Sequence, residues 1–262
     1  MKALRSRDNP FYKSLLRLAA SSRARREART TILDGIHLLE AYASSGLAAQ
    51  AIIVRESVAQ SAEIGRLVAK CPAGHVYSLS DGLYDAVAQV ASPVGIMALV
   101  DTPPPAVLPG SIGNALLLEE IQDPGNLGSI LRSAAAAGIC DVFLSKKSIF
   151  AWSPKVLRAG MGAHFSLSIH EEVDLIELLN RREGLAFATV VDSTTNIYQA
   201  ALAGPVAWIF GNEGAGVSTG LMHAADACVC IPMAGTTESI NVAAAAAVCL
   251  FEQARQRLSR GQ

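Results

Sequence analysis

Ile231–Glu252, IPMAGTTESINVAAAAAVCLFE, carries an apolar run to a proline, crosses a Gly-containing polar loop and opens a long Ala-rich helix at Asn241. Two more loops of this kind lie upstream, QDPGNLGSILR at Gln122–Arg132 and FGNEGAGVS at Phe210–Ser218. Strand-like apolar runs precede them, Leu116–Ile121 before the first and Val206–Phe210 before the second. Loops at the carboxyl ends of strands are where an open α/β sheet builds its ligand site. These three hold few groups able to do covalent chemistry and many Gly, Asn, Ser and backbone N–H groups. Such a site holds a polar cofactor and leaves the chemistry to it.

Around these loops, residues 111–262 alternate apolar runs with helical ones. ALLLEEI, SILRSAAAAG, DVFLS, a helix over Pro154–Gly160 and SLSI come first; a helix over Val173–Arg181, AFATVV, VAWIFG, ACVCIP and the final helix, read as Ser239–Gln253, follow. Apolar strands alternating with helices predict an α/β fold with a mostly parallel sheet covered on both faces. Asp101–Gly110, DTPPPAVLPG, holds four prolines and reads as an extended linker over 101–110. Residues 1–100 then form a smaller α/β domain. Its helices are expected over Asn9–Ser21 and Ile36–Ser44 and its strands at Thr30–Gly35, Gln50–Val54 and Gly95–Val100, with helix, strand and helix patterns between the last two.

Half of the chain (51%) is hydrophobic, which is enough to bury a core. No run reaches the ~18 apolar residues of a membrane span, and MKALRSRDNPFYK has no apolar signal region. A cytoplasmic protein without a membrane partner is the expectation. The five cysteines and five histidines show no metal-ligand spacing, so no metal is expected. Cys228 and Cys230 alternate in DACVCIPM and read as small buried residues on one strand face.

The net charge of −1 hides an asymmetry. Residues 1–29 carry nine basic side chains against two acidic ones, a net +7, and the remainder is −8. A local basic surface of this kind fits phosphate binding. Arg23, Arg25, Arg26 and Arg29 stand at its centre, although RARREAR would serve equally as a solvated helix face.

Among single residues, Arg132 enters the apolar SAAAAG helix and is either anchored by a buried acid or aimed at a ligand. Its guanidinium offers a rigid fork for phosphate or carboxylate. Asn126 sits with Gly125 and Gly128 around it, where positive φ is accessible. Glu213, amid three glycines, either satisfies N–H groups of its own turn or serves the site. Ser239 and Asn241 read as caps of the final helix. GNEGAG lacks the G-x-G-x-x-G fingerprint, which disfavours a nicotinamide enzyme on a Rossmann sheet.

In this order, QDPGNLGSILRSA, FGNEGAGVS and IPMAGTTESINVAAA resemble the three motifs of the SpoU (TrmH-like) RNA ribose methyltransferases of the SPOUT class. SPKVLRAGMGAHF at Ser153–Phe165 also matches, while Val217 and Ile240 stand where the family usually has Leu. RSRDNPFYKSLLRL and RREARTTILDGIHLLEA are similar to the family's small RNA-binding domain, an α/β fold like some ribosomal proteins. The resemblance implies a deep trefoil knot in residues 111–262, a homodimer, and methylation of a ribose 2′-hydroxyl in RNA, ribosomal rather than transfer RNA. It implies S-adenosylmethionine as cofactor, bound around Gly211, Asn212, Gly216, Ile231, Met233 and Ile240 with apolar walls about the adenine. It also implies that Arg132 assists loss of the hydroxyl proton. Stabilising the developing alkoxide is physically easier, because an arginine is almost never deprotonated. Asn126, Glu213, Ser239 and Asn241 would then position Arg132 and the ribose. A catalytically inert knotted RNA-binding protein is the alternative from another class.

Overall fold

A computed structural model describes residues 1–104 and 107–260, so positions 105 and 106 of the expected linker lie outside the described residues. The chain divides into two compact units, Met1–Pro104 with Trp152–Phe165 and the remainder. Trp152–Phe165, read from sequence as part of the second domain, therefore belongs to the first unit. Within that unit Thr31 Oγ1 donates to the Trp152 carbonyl at 2.8 Å, and the Phe165 ring meets Tyr42 edge-on at 5.1 Å. The helix Pro154–Gly160 buries Val156 and Leu157.

Five strands build the first unit: β1 (Lys2–Leu4), β2 (Thr30–Asp34), β3 (Ala49–Arg55), β4 (Ala73–Leu79) and β5 (Ile96–Asp101). Their order is β1-β4-β3-β5-β2, parallel from β1 to β3, with β5 antiparallel to both its neighbours. The helix Pro10–Ala20 begins where Asn9 accepts hydrogen bonds from the N–H groups of Phe11 and Tyr12, with Pro10 at its first position. Helical spacing then puts Tyr12, Leu15 and Leu18 into a core with Ile32, Ile53 and Tyr84.

The second unit holds six parallel strands: β6 (Ala115–Leu118), β7 (Asp141–Ser145), β8 (Ser168–Val173), β9 (Leu185–Thr189), β10 (Val206–Phe210) and β11 (Ala227–Val229). Their order is β11-β9-β10-β6-β7-β8. Every residue of β6 and β10 is buried, as expected for strands covered on both faces. Ala207 and Ile209 pack with Leu175, Leu178 and Leu221 on one face. On the other, Trp208 Nε1 donates to Gln253 Oε1 of the C-terminal helix at 2.8 Å. That helix, Val242–Arg260, also packs on the helix Pro124–Ala136. It runs past Gln253, where the apolar spacing ends, carried by the polar pairs of Glu252 with Arg255 and Gln256.

Strand order reverses between β6 and β10. From β6 the chain moves outward through β7 to β8, then crosses to build β9, β10 and β11 on the opposite side. Leu118 and Phe210, the last residues of β6 and β10, are register partners at this switch point. A crevice outside the carboxyl ends of the strands follows there.

Candidate active site

Three loops leave these strand ends. After β6, Glu119–Asp123 leads into the helix Pro124–Ala136, which starts five residues before the SILRSAAAAG run. Asp123 caps it by accepting from Asn126 N at 2.8 Å, and Pro124 fills its first turn. Gly125 and Asn126 are thus helical, and the positive φ accessible to them is not used. Glu120 holds positive φ instead (50°). Its carbonyl accepts from Asn212 Nδ2 at 2.8 Å, tying the first loop to the one after β10. In that second loop, Asn212 Oδ1 takes the N–H groups of Gly214 and Ala215. A Cβ on Gly211 would collide with the backbone of Gly216 and Val217, so only glycine permits this fold-back.

Backbone donors fix the polarity of the side chains between the loops. Asn241 Oδ1 accepts from Ala243 N and Ala244 N, 2.9 and 3.3 Å, capping the last helix. Its Nδ2 is then turned outward and donates to Asn126 Oδ1 at 2.8 Å. Asn126 in turn donates from Nδ2 to Glu213 Oε1 at 3.0 Å. Glu213 also accepts from Gln122 N at 3.2 Å and Asp123 N at 3.0 Å. Asn241, Asn126 and Glu213, one from each loop, form a single directed chain that needs an ionised acceptor at its end. Partial burial pulls the Glu213 carboxyl upward, but the Asn126 amide and the surrounding backbone N–H groups outweigh it and hold it below the usual carboxylate range.

Beside this chain lies a cleft of ≈ 400 Å³. Gly211, Asn212, Gly216, Ile231, Met233 and Ile240, the six residues expected around a cofactor, all line it. Thr189, Val190 and Val191, beyond the sequence expectation, form part of its wall. The Thr189 hydroxyl is already bonded to the Ile209 carbonyl at 2.9 Å, which leaves that wall apolar. The signal for them was AFATVV, an apolar run ending at the same sheet edge as the motif loops. Ser239 and Glu238 also line the cleft. Apolar walls beside loops rich in backbone N–H and C=O groups fit a ligand with an apolar ring and polar ends.

Arg132 stands apart from the amide chain. It is exposed on the helix Pro124–Ala136 and makes no ion pair or hydrogen bond with any described residue. No described acid anchors it, so the structural ion pair is the reading that fails. The N-terminal arginines divide as well. Arg23 (paired with Glu27 at 2.7 Å), Arg26 and Arg29 are exposed. Arg25 is a correction: it is only 4% exposed and donates to the Ala19 carbonyl at 2.7 Å and to Gln89 Oε1 at 3.2 Å. Its guanidinium closes off a helix end and is not presented to a phosphate. Among the described residues no group of His, Cys, Asp and Glu could hold a metal ion, and no helix is long and apolar enough to cross a membrane.

The model of the SpoU rRNA methylase family matches residues 113–251. The chain belongs to this family. A SpoU relative from Synechocystis sp., an uncharacterized tRNA/rRNA methyltransferase, is 33% identical over 97% of this chain and 94% of its own length. The Bacillus subtilis 23S rRNA (guanosine-2′-O)-methyltransferase RlmP is 29% identical over 96% of this chain and 98% of its own. Among solved SpoU-type structures, an RNA 2′-O ribose methyltransferase superposes with a TM-score of 0.82 at 28% identity, covering 98% of this chain and 99% of that one. An AdoMet-bound rRNA methyltransferase from Sinorhizobium meliloti superposes with a TM-score of 0.83 at 25% identity, covering 97% of each chain.

Proposed function

We propose that this SpoU family member transfers a methyl group from S-adenosylmethionine to a ribose 2′-hydroxyl of ribosomal RNA. The observation that carries the reading is the chain Asn241–Asn126–Glu213 at the rim of the cleft. It joins all three motif loops and supplies orientation without a histidine base. The cofactor, when bound, would supply an electrophilic methyl group: the O–CH3 bond would form as the S–CH3 bond breaks, with S-adenosylhomocysteine as leaving group and the hydroxyl proton passing to solvent. Holding that oxygen in line is where the protein gains most of its rate.

In this reading the backbone around Gly211, Asn212, Gly216, Ile231, Met233 and Ile240 grips the polar ends of the cofactor, and Val190 and Val191 flank its ring. Asn126, Glu213, Ser239 and Asn241 orient the ribose. Arg132 stabilises the developing alkoxide and a neighbouring phosphate through its fork of donors. The first unit, a ribosomal-protein-like fold, binds RNA through Arg23, Arg26 and Arg29. The C-terminal chain threads a trefoil knot, a reading supported by the family and by the packing of the last helix on Pro124–Ala136. Two copies pair in the cytoplasm through that helix, on which Phe251 is 50% and Leu258 73% exposed. Such surface costs about 25 cal/mol per Å² to leave in water.

Calorimetric titration with S-adenosylmethionine and with NAD tests the assignment. Saturable binding of the first and none of the second supports it, and the reverse would refute it. An inert RNA binder is the reading that gains if neither binds.

A further inference from the structure

A second cleft, ≈ 310 Å³, opens at the carboxyl ends of β6, β7 and β8. It lies on the same sheet edge as the first cleft, and its size falls within the ~300–1,000 Å³ typical of ligand pockets. Five described non-glycine residues hold positive φ: Arg29, Glu120, Lys147, Met161 and Glu172. Arg29 and Met161 are left-handed helix C-caps, which accounts for them. Of the other three, Glu120 and Lys147 line the second cleft, and Glu172 precedes Val173, which lines it too. A register shift between β7 and β8, at Phe143 and Ser145, bends the sheet beside it. Left-handed non-glycine residues and bulges are costly and gather at functional sites.

The strain is locked in place. Gln122 donates from Nε2 to the Lys147 carbonyl at 2.6 Å and to the Glu120 carbonyl at 3.2 Å. Lys147 Nζ bonds Glu120 Oε1 at 3.0 Å. Of the acids of this cleft, Glu120 is neutralised by Lys147, while Glu119 accepts the N–H of Ser218 and Asp174 the N–H groups of Ile176 and Glu177, each charge facing the start of a helix. Lys146 is exposed and pairs with no described acid. Lys146 is thus the cation of this cleft without an acid partner, and Ile176, 47% exposed, is its accessible apolar side chain, set on the buried Val173 and Leu175.

An unpaired ammonium beside an exposed aliphatic side chain matches one nucleotide of a polyanion, with its phosphate on the ammonium and its base covering the apolar surface. The loop Glu119–Asp123 borders both clefts, since Glu120 lines the second and holds Asn212 of the first. We infer that the second cleft is a subsite for an RNA nucleotide flanking the methylated one, with Lys146 on its phosphodiester and Ile176 under its base. This rests on the RNA methyltransfer reading and adds the subsite to it.

Filter binding of the full chain to protein-free ribosomal RNA across a range of KCl tests it, with Lys146→Ala, Ile176→Ser and, as a charge-matched control outside the cleft, Lys70→Ala. Ile176→Ser should raise the Kd roughly fivefold, the worth of about 40 Å² of apolar surface taken from water. Lys146→Ala should weaken binding and lower the salt slope by about one unit, with Lys70→Ala near wild type. Wild-type affinity and slope in both cleft variants, or equal losses in all three, would overturn the inference. Methyl transfer is scored in parallel. Activity with unaffected RNA binding in the cleft variants removes the subsite and spares the function. Weakened RNA binding in the cleft variants, beside a wild-type protein that transfers no methyl group, keeps the RNA contact and removes the function.

Discussion

Asn241 and Asn126, 115 positions apart, share a hydrogen bond of 2.8 Å that joins the cap of the last helix to the first turn of the helix Pro124–Ala136. The direction of the bond is set by the backbone N–H groups that Asn241 accepts at its other end. Asn126 can therefore only donate to Glu213.

Replacing Asn126 by aspartate removes that donor and sets a carboxylate against the Glu213 carboxylate. Asn126→Asp should lower methyl transfer by about 10²-fold, the scale of a misplaced reacting group. Its stability should fall by roughly 1 kcal/mol, a hydrogen bond's worth in a partly exposed setting. Single-turnover rates and urea midpoints measure both.

Arg132 lies outside the cleft lining, which predicts a split effect. Arg132→Ala should abolish transfer while leaving the Kd for S-adenosylmethionine near wild type. Near-normal turnover would remove it from the mechanism. Light scattering of the same protein at micromolar concentration checks the dimer, with about twice 27.4 kDa expected.

The arginine cluster separates by burial. Replacing Arg23, Arg26 and Arg29 together should weaken RNA binding and reduce its salt slope by about one unit per lost phosphate contact. Arg25→Ala should act on the fold instead, because it strips the Ala19 carbonyl and Gln89 of their buried donor. Thermal unfolding distinguishes the two effects.

Stability should also depend on pH through His170. Burial pushes its imidazole below the ordinary 6.5, opposed by the Asp141 charge, so the folded state favours the neutral ring. That contribution is complete above 6.5 and is lost as pH falls through the depressed value. Asp34 runs the other way, since burial raises its carboxyl and its contribution fades as pH rises. The measurement is therefore the unfolding free energy of wild type minus that of His170→Phe, which should fall steadily as pH drops below about 6.5.

Much of this site was legible because loop chemistry and strand pattern agree. β10 and the helices Ile36–Ser44 and Pro154–Gly160 match their expected bounds, as apolar runs closed by Gly, Ser or Pro. The three-residue β1 was missed because KAL is too short for a periodic signal. Pro154–Gly160 was placed in the wrong unit because its helical pattern says nothing about which sheet covers it. Arg25 looked like its neighbours because charge reads the same in sequence whether a carbonyl or a solvent shell receives it. The strained trio Glu120, Lys147 and Glu172 left no trace, since none of them is glycine.

Methylation of a ribose in ribosomal RNA leaves a mark that chemistry can read. The most direct test incubates the full chain with labelled S-adenosylmethionine and ribosomal RNA from cells lacking the gene, then maps resistance to alkaline cleavage. Label is expected at a discrete site whose 3′ phosphodiester resists alkali, and none with Arg132→Ala. Label on a base, or no incorporation by a protein that binds the cofactor, would contradict it.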